Sequence, residues 1–219
     1  MAKIKAVIFD LDGTLLNTSI DLANAVNFAL DKNGYNTYPV FKIVSFVGNG
    51  VKNLVARALN NCEDEKKVTN VLAHFKEYYG EHLNDFTTPY ANVKKVLEWL
   101  KENKILVAIV SNKYDKAVNF LAKSHFDGLY DIAVGERVAV PKKPAPDMVN
   151  IALEKLKVDK DNCLYIGDSE VDILTAKNSN IKSVTVTYGF KSKEFLSAFS
   201  ETILIDDMIS LIDIIKENN

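Results

Sequence analysis

Short apolar runs of strand length recur along the chain at residues 4–9, 105–110, 131–134, 164–166, 183–187 and 202–205. Between them, apolar residues fall at three- and four-residue spacing over 93–102, 116–123, 148–157, 171–178 and 208–216, the period of helices with one buried face. Strands that are apolar throughout, rather than alternating, belong to sheets covered on both faces. Strand then helix, repeated, predicts the α/β class with a doubly wound, Rossmann-like parallel sheet.

One interval breaks this rhythm. From residue 17 to about 90 the pattern is helical and contains no convincing strand. A first helix is expected from near Ser19 to just before Gly34, which suits the left-handed position beyond a helix end. Gly48-Asn49-Gly50 then turns into a helix over 51–60, a long helix covers about 63–83, and Thr87-Thr88-Pro89 reads as a hinge. The expected organisation is an α/β core of residues 1–16 and 90–219 with an inserted α-helical cap of 17–89.

Composition narrows the function classes. The 219 residues are 47% hydrophobic, enough for one substantial core with a smaller appended unit. With 27 basic and 29 acidic residues well mixed, the net charge of -2 offers no field for nucleic acid or an anionic membrane. Cys62 and Cys163 lack metal-ligand spacing and read as reduced packing residues. No apolar stretch approaches the ~18 residues needed to span a bilayer, and the N-terminus runs straight into a strand, so a cytoplasmic location is expected. A monomer or small homo-oligomer is expected.

Candidate chemistry sits where the apolar runs end. The first run gives way to Asp10-Leu11-Asp12-Gly13-Thr14, two carboxylates at the mouth of a buried strand. An isolated Asp-Gly is most simply a turn. Here other strand ends are also polar: Ser111-Asn112-Lys113 follows the second run, Lys143 lies in the loop after the third, and Asp168 and Asp172 follow the fourth. In an open α/β sheet these ends share one crevice. The set fits phosphoryl transfer to a carboxylate. Asp10 attacking a phosphate dianion faces like-charge repulsion, which a magnesium ion held by Asp10, Asp168 and the backbone carbonyl of Asp12 would neutralise. Lys143 adds a point charge, and Ser111 a hydroxyl and N–H for a phosphoryl oxygen. The side chain of Asp12, turned away from the metal, would give the leaving alcohol its proton and later take one from water. Asp172 would anchor Lys143 or a metal-bound water.

These four stretches, Asp10-x-Asp12, Ser111, Lys143 and the Asp168/Asp172 pair, resemble the haloacid dehalogenase superfamily over nearly the whole chain. Within it, Asp-Leu-Asp-Gly-Thr, the early helical insertion, Val47-Gly48-Asn49-Gly50-Val51, Lys142-Lys143-Pro144-x-Pro146 and Thr187-Tyr188-Gly189 are similar to phosphoglycolate phosphatases. The resemblance implies Mg²⁺-dependent hydrolysis of a small phosphorylated metabolite, foremost 2-phosphoglycolate, through an aspartyl-phosphate on Asp10. It also implies a cap whose Gly48, Asn49 and Gly50 face the substrate, with Asn112 a further binding residue. Asn17 departs from the acid that many relatives carry there. Pyrophosphate, sugar phosphates and nucleotides stay open as substrates, and a sugar-phosphate mutase would use the same two acids. A metal-free dehalogenase would not need Asp12 and Asp168. A phosphoryl-receiver domain would place its acceptor after the third strand, where this chain has Gly135-Glu136.

Overall fold

The computed structural model describes residues 3–218, which divide into two compact units at 16/17 and 88/89. The first unit combines the two flanks of the chain, and its second boundary lies one residue earlier than expected, so that Pro89 belongs to it. In chain order the elements are β1 (Ala6–Phe9), β2 (Leu16–Asn17), α1 (Ser19–Lys32), α2 (Val40–Val44), α3 (Val51–Ala58), α4 (Glu65–His82) and β3 (Thr88–Pro89). They continue with α5 (Val93–Glu102), β4 (Leu106–Tyr114), α6 (Asp115–Phe126), β5 (Ile132–Glu136), α7 (Asp147–Leu156), β6 (Cys163–Gly167) and α8 (Glu170–Ser179). The last four are β7 (Lys182–Val186), α9 (Lys193–Leu196), β8 (Thr202–Ile205) and α10 (Ser210–Glu217).

Six strands form one sheet in the order β5-β4-β1-β6-β7-β8, every neighbouring pair parallel. The chain starts in the middle, winds outward through β4 and β5, then crosses back to β6 and winds the other way. That reversal at β1 is a topological switch point, where such sheets open a crevice beyond their carboxyl ends. Alternate residues of the central strands build the core on one face: Ala6 and Ile8, Ala108 and Val110, Cys163 and Tyr165 pack with Met148, Val149 and Ala152 of α7 and Ala176 of α8. Each fully buried branched side chain contributes about 1.5–3 kcal/mol. On α5, Val93, Val96, Leu97 and Leu100 are buried, the spacing that predicted this helix. Both cysteines are free, and burial pushes the Cys163 thiol up to about 12, which suits a packing residue.

β4 departs from the expected pattern. Its apolar run ends at Val110, yet the strand continues to Tyr114 through a register shift against β5, in which Val110 pairs with Val134 and Tyr114 with Glu136. Ser111, Asn112 and Lys113 therefore occupy a bulge, a device that re-aims side chains. Other short elements, among them β2, β3, α2 and α9, went unforeseen. The short pair β2 and β3, where the chain passes between units, holds too few residues to show a period, as does the five-residue α2.

In the second unit, α1 packs against α4. Leu22, Val26 and Leu30 of α1 and Val71, Phe75 and Tyr79 of α4 are buried. Asp64 caps α4, accepting from the N–H groups of Lys66 and Lys67 at 3.0 and 3.3 Å. The buried carboxylate of Asp21 accepts from Phe86 N–H at 3.0 Å and the Thr87 hydroxyl at 2.7 Å, which pins the return segment to α1. Among the described residues no helix is long and apolar enough to cross a membrane.

Candidate active site

Strand register assembles the site. Phe9 of β1 pairs with Ile109 on one side and Ile166 on the other, so Asp10 follows beside Val110-Ser111 and Gly167-Asp168. The Asp10 N–H donates to the Ile166 carbonyl at 2.8 Å, which holds the turn against β6. Lys143 reaches the same place from the loop before α7, with Nζ 2.8 Å from Asp10 Oδ1 and 2.8 Å from Asp172 Oδ1. The contact to Asp10 is a buried ion pair.

Asp172 is bound on both oxygens. Oδ1 accepts from Lys143 Nζ and from the Tyr165 hydroxyl at 3.1 Å. Oδ2 accepts from the Ser169 hydroxyl at 2.6 Å and from the N–H groups of Ser169 and Asp168 at 3.2 and 3.3 Å. Part of this is the capping box that starts α8, with Ser169 at the N-cap and Asp172 three residues on. A carboxylate offers about four lone-pair directions. Asp172 is therefore saturated and serves to fix Lys143, although its oxygens lie within 4.8 Å of ligand atoms on Asp10 and Asp168.

Asp10 and Asp168 differ from it. Burial, reinforced by the Asp172 charge, pushes Asp10 up to about 7 against the pull of Lys143. Burial and then the charges of Asp172 and Asp10 hold Asp168 well above the carboxylate range. Burial works against the Lys143 charge, but Asp10 and Asp172 outweigh it and keep its pKa well above the usual value. Three buried carboxylates thus face one lysine in this cluster, and the negative charge is under-compensated. The donors are all hard oxygens, two of the carboxylates are not saturated, and both facts fit a divalent cation held by Asp10 and Asp168.

Glycines make room for Asp168. A Cβ at Gly13 or at Gly189 would be driven into the Asp168 side chain, and Gly13 has φ +85 as well. Phe190 N–H donates to Asp168 Oδ2 at 2.7 Å, so the segment after β7 orients this acid. A divalent cation at 100 times its Kd is expected to stabilise the fold by about 2.7 kcal/mol. At ~2–4 °C per kcal/mol for a chain of this size, Tm rises by roughly 5–10 °C. The rise is larger at pH 8 than at pH 6. With folded-state pKa values raised, protons neutralise the acids as pH falls through about 7 toward 3.8, and the cation then competes with them. In Gly189→Ala the displaced Asp168 shrinks the shift in Tm; a thermal melt with a full-sized shift contradicts this assignment.

The remaining candidates fall in three places. Ser111 is buried in the bulge, its hydroxyl oxygen accepting from Lys113 N–H at 3.3 Å. The Asn112 amide donates to the Lys143 carbonyl at 3.0 Å and accepts from the Lys143 N–H at 2.8 Å, which fixes that lysine's backbone. Asp12 turns its side chain to Lys113, whose Nζ lies 2.8 and 3.0 Å from the two carboxylate oxygens. Gly48, Asn49 and Gly50 belong to the other unit, at the turn that opens α3, where Gly48 and Gly50 have φ of 133 and 81. In that unit Lys52 pairs with Glu65 at 2.9 Å, Arg57 donates to the Phe46 carbonyl at 2.6 Å, and Asn17 accepts from the Ser19 hydroxyl at 2.7 Å.

Lys113 and Tyr165 are participants that the sequence did not single out. Tyr165 reads as an ordinary core aromatic in its strand, and only its hydroxyl contacts betray it. Lys113 directly follows Asn112 in the polar Ser111-Asn112-Lys113 stretch, so its position next to candidates was the one available signal.

Comparison with known proteins gives a consistent family. A curated phosphoglycolate phosphatase from Neisseria gonorrhoeae is 34% identical over 98% of this chain and 93% of its own length. Another from Vibrio parahaemolyticus is 34% identical over 97% and 96%. A crystal structure from Lactobacillus delbrueckii subsp. bulgaricus superposes with a TM-score of 0.93 at 36% identity, covering 98% of this chain and 99% of that one. A predicted phosphoglycolate phosphatase from Haemophilus somnus superposes at 0.86 with 28% identity over 98% and 99%. The family profile described as haloacid dehalogenase-like hydrolase matches residues 7–186, which is most of the chain, and the protein belongs to that family.

Proposed function

We propose that the protein is a Mg²⁺-dependent phosphatase of small phosphomonoesters, foremost 2-phosphoglycolate, acting through an aspartyl-phosphate on Asp10. The observation that carries the reading is the cluster in which Asp10 meets Lys143 at 2.8 Å while Asp172 is saturated and Asp168 stands ready beside it. The substrate follows the names of the relatives above, and the chemistry follows the residues. Bound by Asp10, Asp168 and the Asp12 backbone carbonyl, the ion would neutralise the repulsion between the phosphate and its attacking carboxylate.

A carboxylate oxygen of Asp10 attacks phosphorus, and the bond from phosphorus to the ester oxygen breaks. Asp12 gives that leaving oxygen a proton, so glycolate departs as the alcohol. Lys143 and Ser111 hold phosphoryl oxygens, the lysine as a fixed charge and the serine through its hydroxyl. Water then attacks the acyl-phosphate phosphorus and passes its proton to Asp12. The bond from phosphorus to Asp10 breaks, releasing inorganic phosphate and restoring the Asp10 carboxylate and the protonated Asp12. Gly48, Asn49 and Gly50 are assigned to the substrate's carboxylate, because glycines let the backbone approach an anion closely.

Phosphate release is expected from 2-phosphoglycolate ahead of pyrophosphate, hexose phosphates and nucleotides, only with Mg²⁺ present. Preference for another ester would rename the substrate and keep the mechanism. No release from any ester, with or without metal, would overturn the reading.

A further inference from the structure

We propose that Lys113 is the positioning residue for Asp12, holding its side chain out of the acidic cluster, where it can exchange a proton with the leaving oxygen and then with water. The inference rests on the phosphatase reading above. Its basis is geometric. Lys113 Nζ lies 2.8 Å from Oδ1 and 3.0 Å from Oδ2 of Asp12, although 101 positions separate the two in the chain. Only 3% of the lysine side chain is exposed. Extending an aliphatic stem through the interior to place a charge on one carboxylate is not how solvated lysines behave, since their ammonium stays in water.

The bulge explains how Lys113 comes to be there. The register shift between Val110 and Tyr114 fits three extra-ladder positions, Ser111, Asn112 and Lys113, at the end of β4 next to β1. Each is turned to a different duty: the Ser111 hydroxyl accepts from the Lys113 N–H, Asn112 grips the Lys143 backbone, and Lys113 takes Asp12. Two lysines thereby divide the acids. Lys143 belongs to Asp10 and Asp172, and Lys113 belongs to Asp12. Without its own cation Asp12, two residues after Asp10, would be drawn to any divalent ion held by the cluster. Its side chain would then no longer reach the leaving oxygen.

A leaving-group comparison tests this. An alkyl ester such as 2-phosphoglycolate needs a proton on its departing oxygen, whereas p-nitrophenyl phosphate departs as a stable anion. Lys113→Met is expected to lower kcat for the alkyl ester by about 10²-fold, the lower range for general acid catalysis, with KM little changed. Phosphorylation by the aryl ester should slow by less than ~5-fold because it needs no proton. Hydrolysis of the aspartyl-phosphate still needs Asp12, so a pre-steady-state burst of p-nitrophenolate approaching one per enzyme should appear. Lys113→Arg keeps the charge and should recover part of the alkyl-ester rate. If Lys113→Met does not fold by circular dichroism, Lys113→Gln takes its place. Equal losses on both esters without a burst, or unchanged rates, would overturn the assignment. Failure of the underlying reading looks different: wild type would release no phosphate, or Asp10→Asn would turn over normally. Leaving-group sensitivity in Asp12→Asn with none in Lys113→Met would defeat the positioning role alone.

Discussion

Asp10→Asn is expected to reduce phosphate release by at least about 10⁴-fold while leaving the fold intact. The amide has nearly the volume of the carboxylate, so packing at the end of β1 is preserved, but an amide is no nucleophile for phosphorus and a weak ligand for a cation. The second half of the expectation concerns stability. Burial raises the Asp10 pKa in the folded protein to about 7, above the unfolded value near 3.8. An acid shifted in that direction opposes folding when ionised. The penalty is fully present above pH 7 and disappears as pH falls below the unfolded value. Asn is neutral throughout. Metal-free Asp10→Asn should therefore melt at or above the wild-type temperature at pH 8, with the gain fading by pH 4, and should lose the metal-induced rise. Initial rates and thermal melts check both parts. Activity within tenfold of wild type would remove Asp10 as nucleophile, and a clear drop in metal-free Tm at pH 8 would contradict the charge argument.

Lys143→Met should be the most damaging single change to the fold at this site. The lysine is buried between Asp10 and Asp172, 2.8 Å from each, with the Tyr165 hydroxyl at 3.1 Å. Removing one partner from a buried ionic cluster leaves uncompensated charge and costs about 3–5 kcal/mol. For a chain of this size that lowers Tm by roughly 10 °C. The deficit should be largest near pH 8 and smaller at pH 5.5. Without Lys143 the pull that lowers the Asp10 pKa is gone, so the acid protonates more readily and the repulsion is relieved. A divalent cation should restore part of the loss. Phosphate release should fall by about 10²–10³-fold even at saturating metal, the scale seen when one preorganised charge stabiliser is removed. Urea unfolding at the two pH values measures the stability difference. A variant as stable as wild type at pH 8 would show that Lys143 is not the counter-ion of this cluster.

The glycine contacts explain why Asp168 is not placed by its own strand alone. Asp168 lies at the end of β6, yet its carboxylate is shaped by Gly13 from the loop after β1, and by Gly189 and the Phe190 N–H from the segment after β7. Likewise a Cβ at Gly167 would be driven into Asp172. Gly13 and Gly189 lie far from Asp168 in sequence, and a glycine at either position looks like any loop glycine until its neighbour is known.

By itself the sequence determined the α/β class, the helical character of the insertion and the strand ends at which the acids sit. Those properties are written locally: a run of apolar residues ending in carboxylates, or a three- and four-residue spacing such as Val93, Val96, Leu97 and Leu100, reports on its own segment. Tertiary structure alone decided the division of labour. The β4 bulge turned Lys113 onto Asp12, Asn112 gripped the Lys143 backbone, and five donors converged on Asp172 so that it holds a lysine. Each of these depends on register between strands that are distant in the chain. A one-residue shift in pairing would send every side chain to the opposite face, so no local pattern specifies which lysine meets which acid.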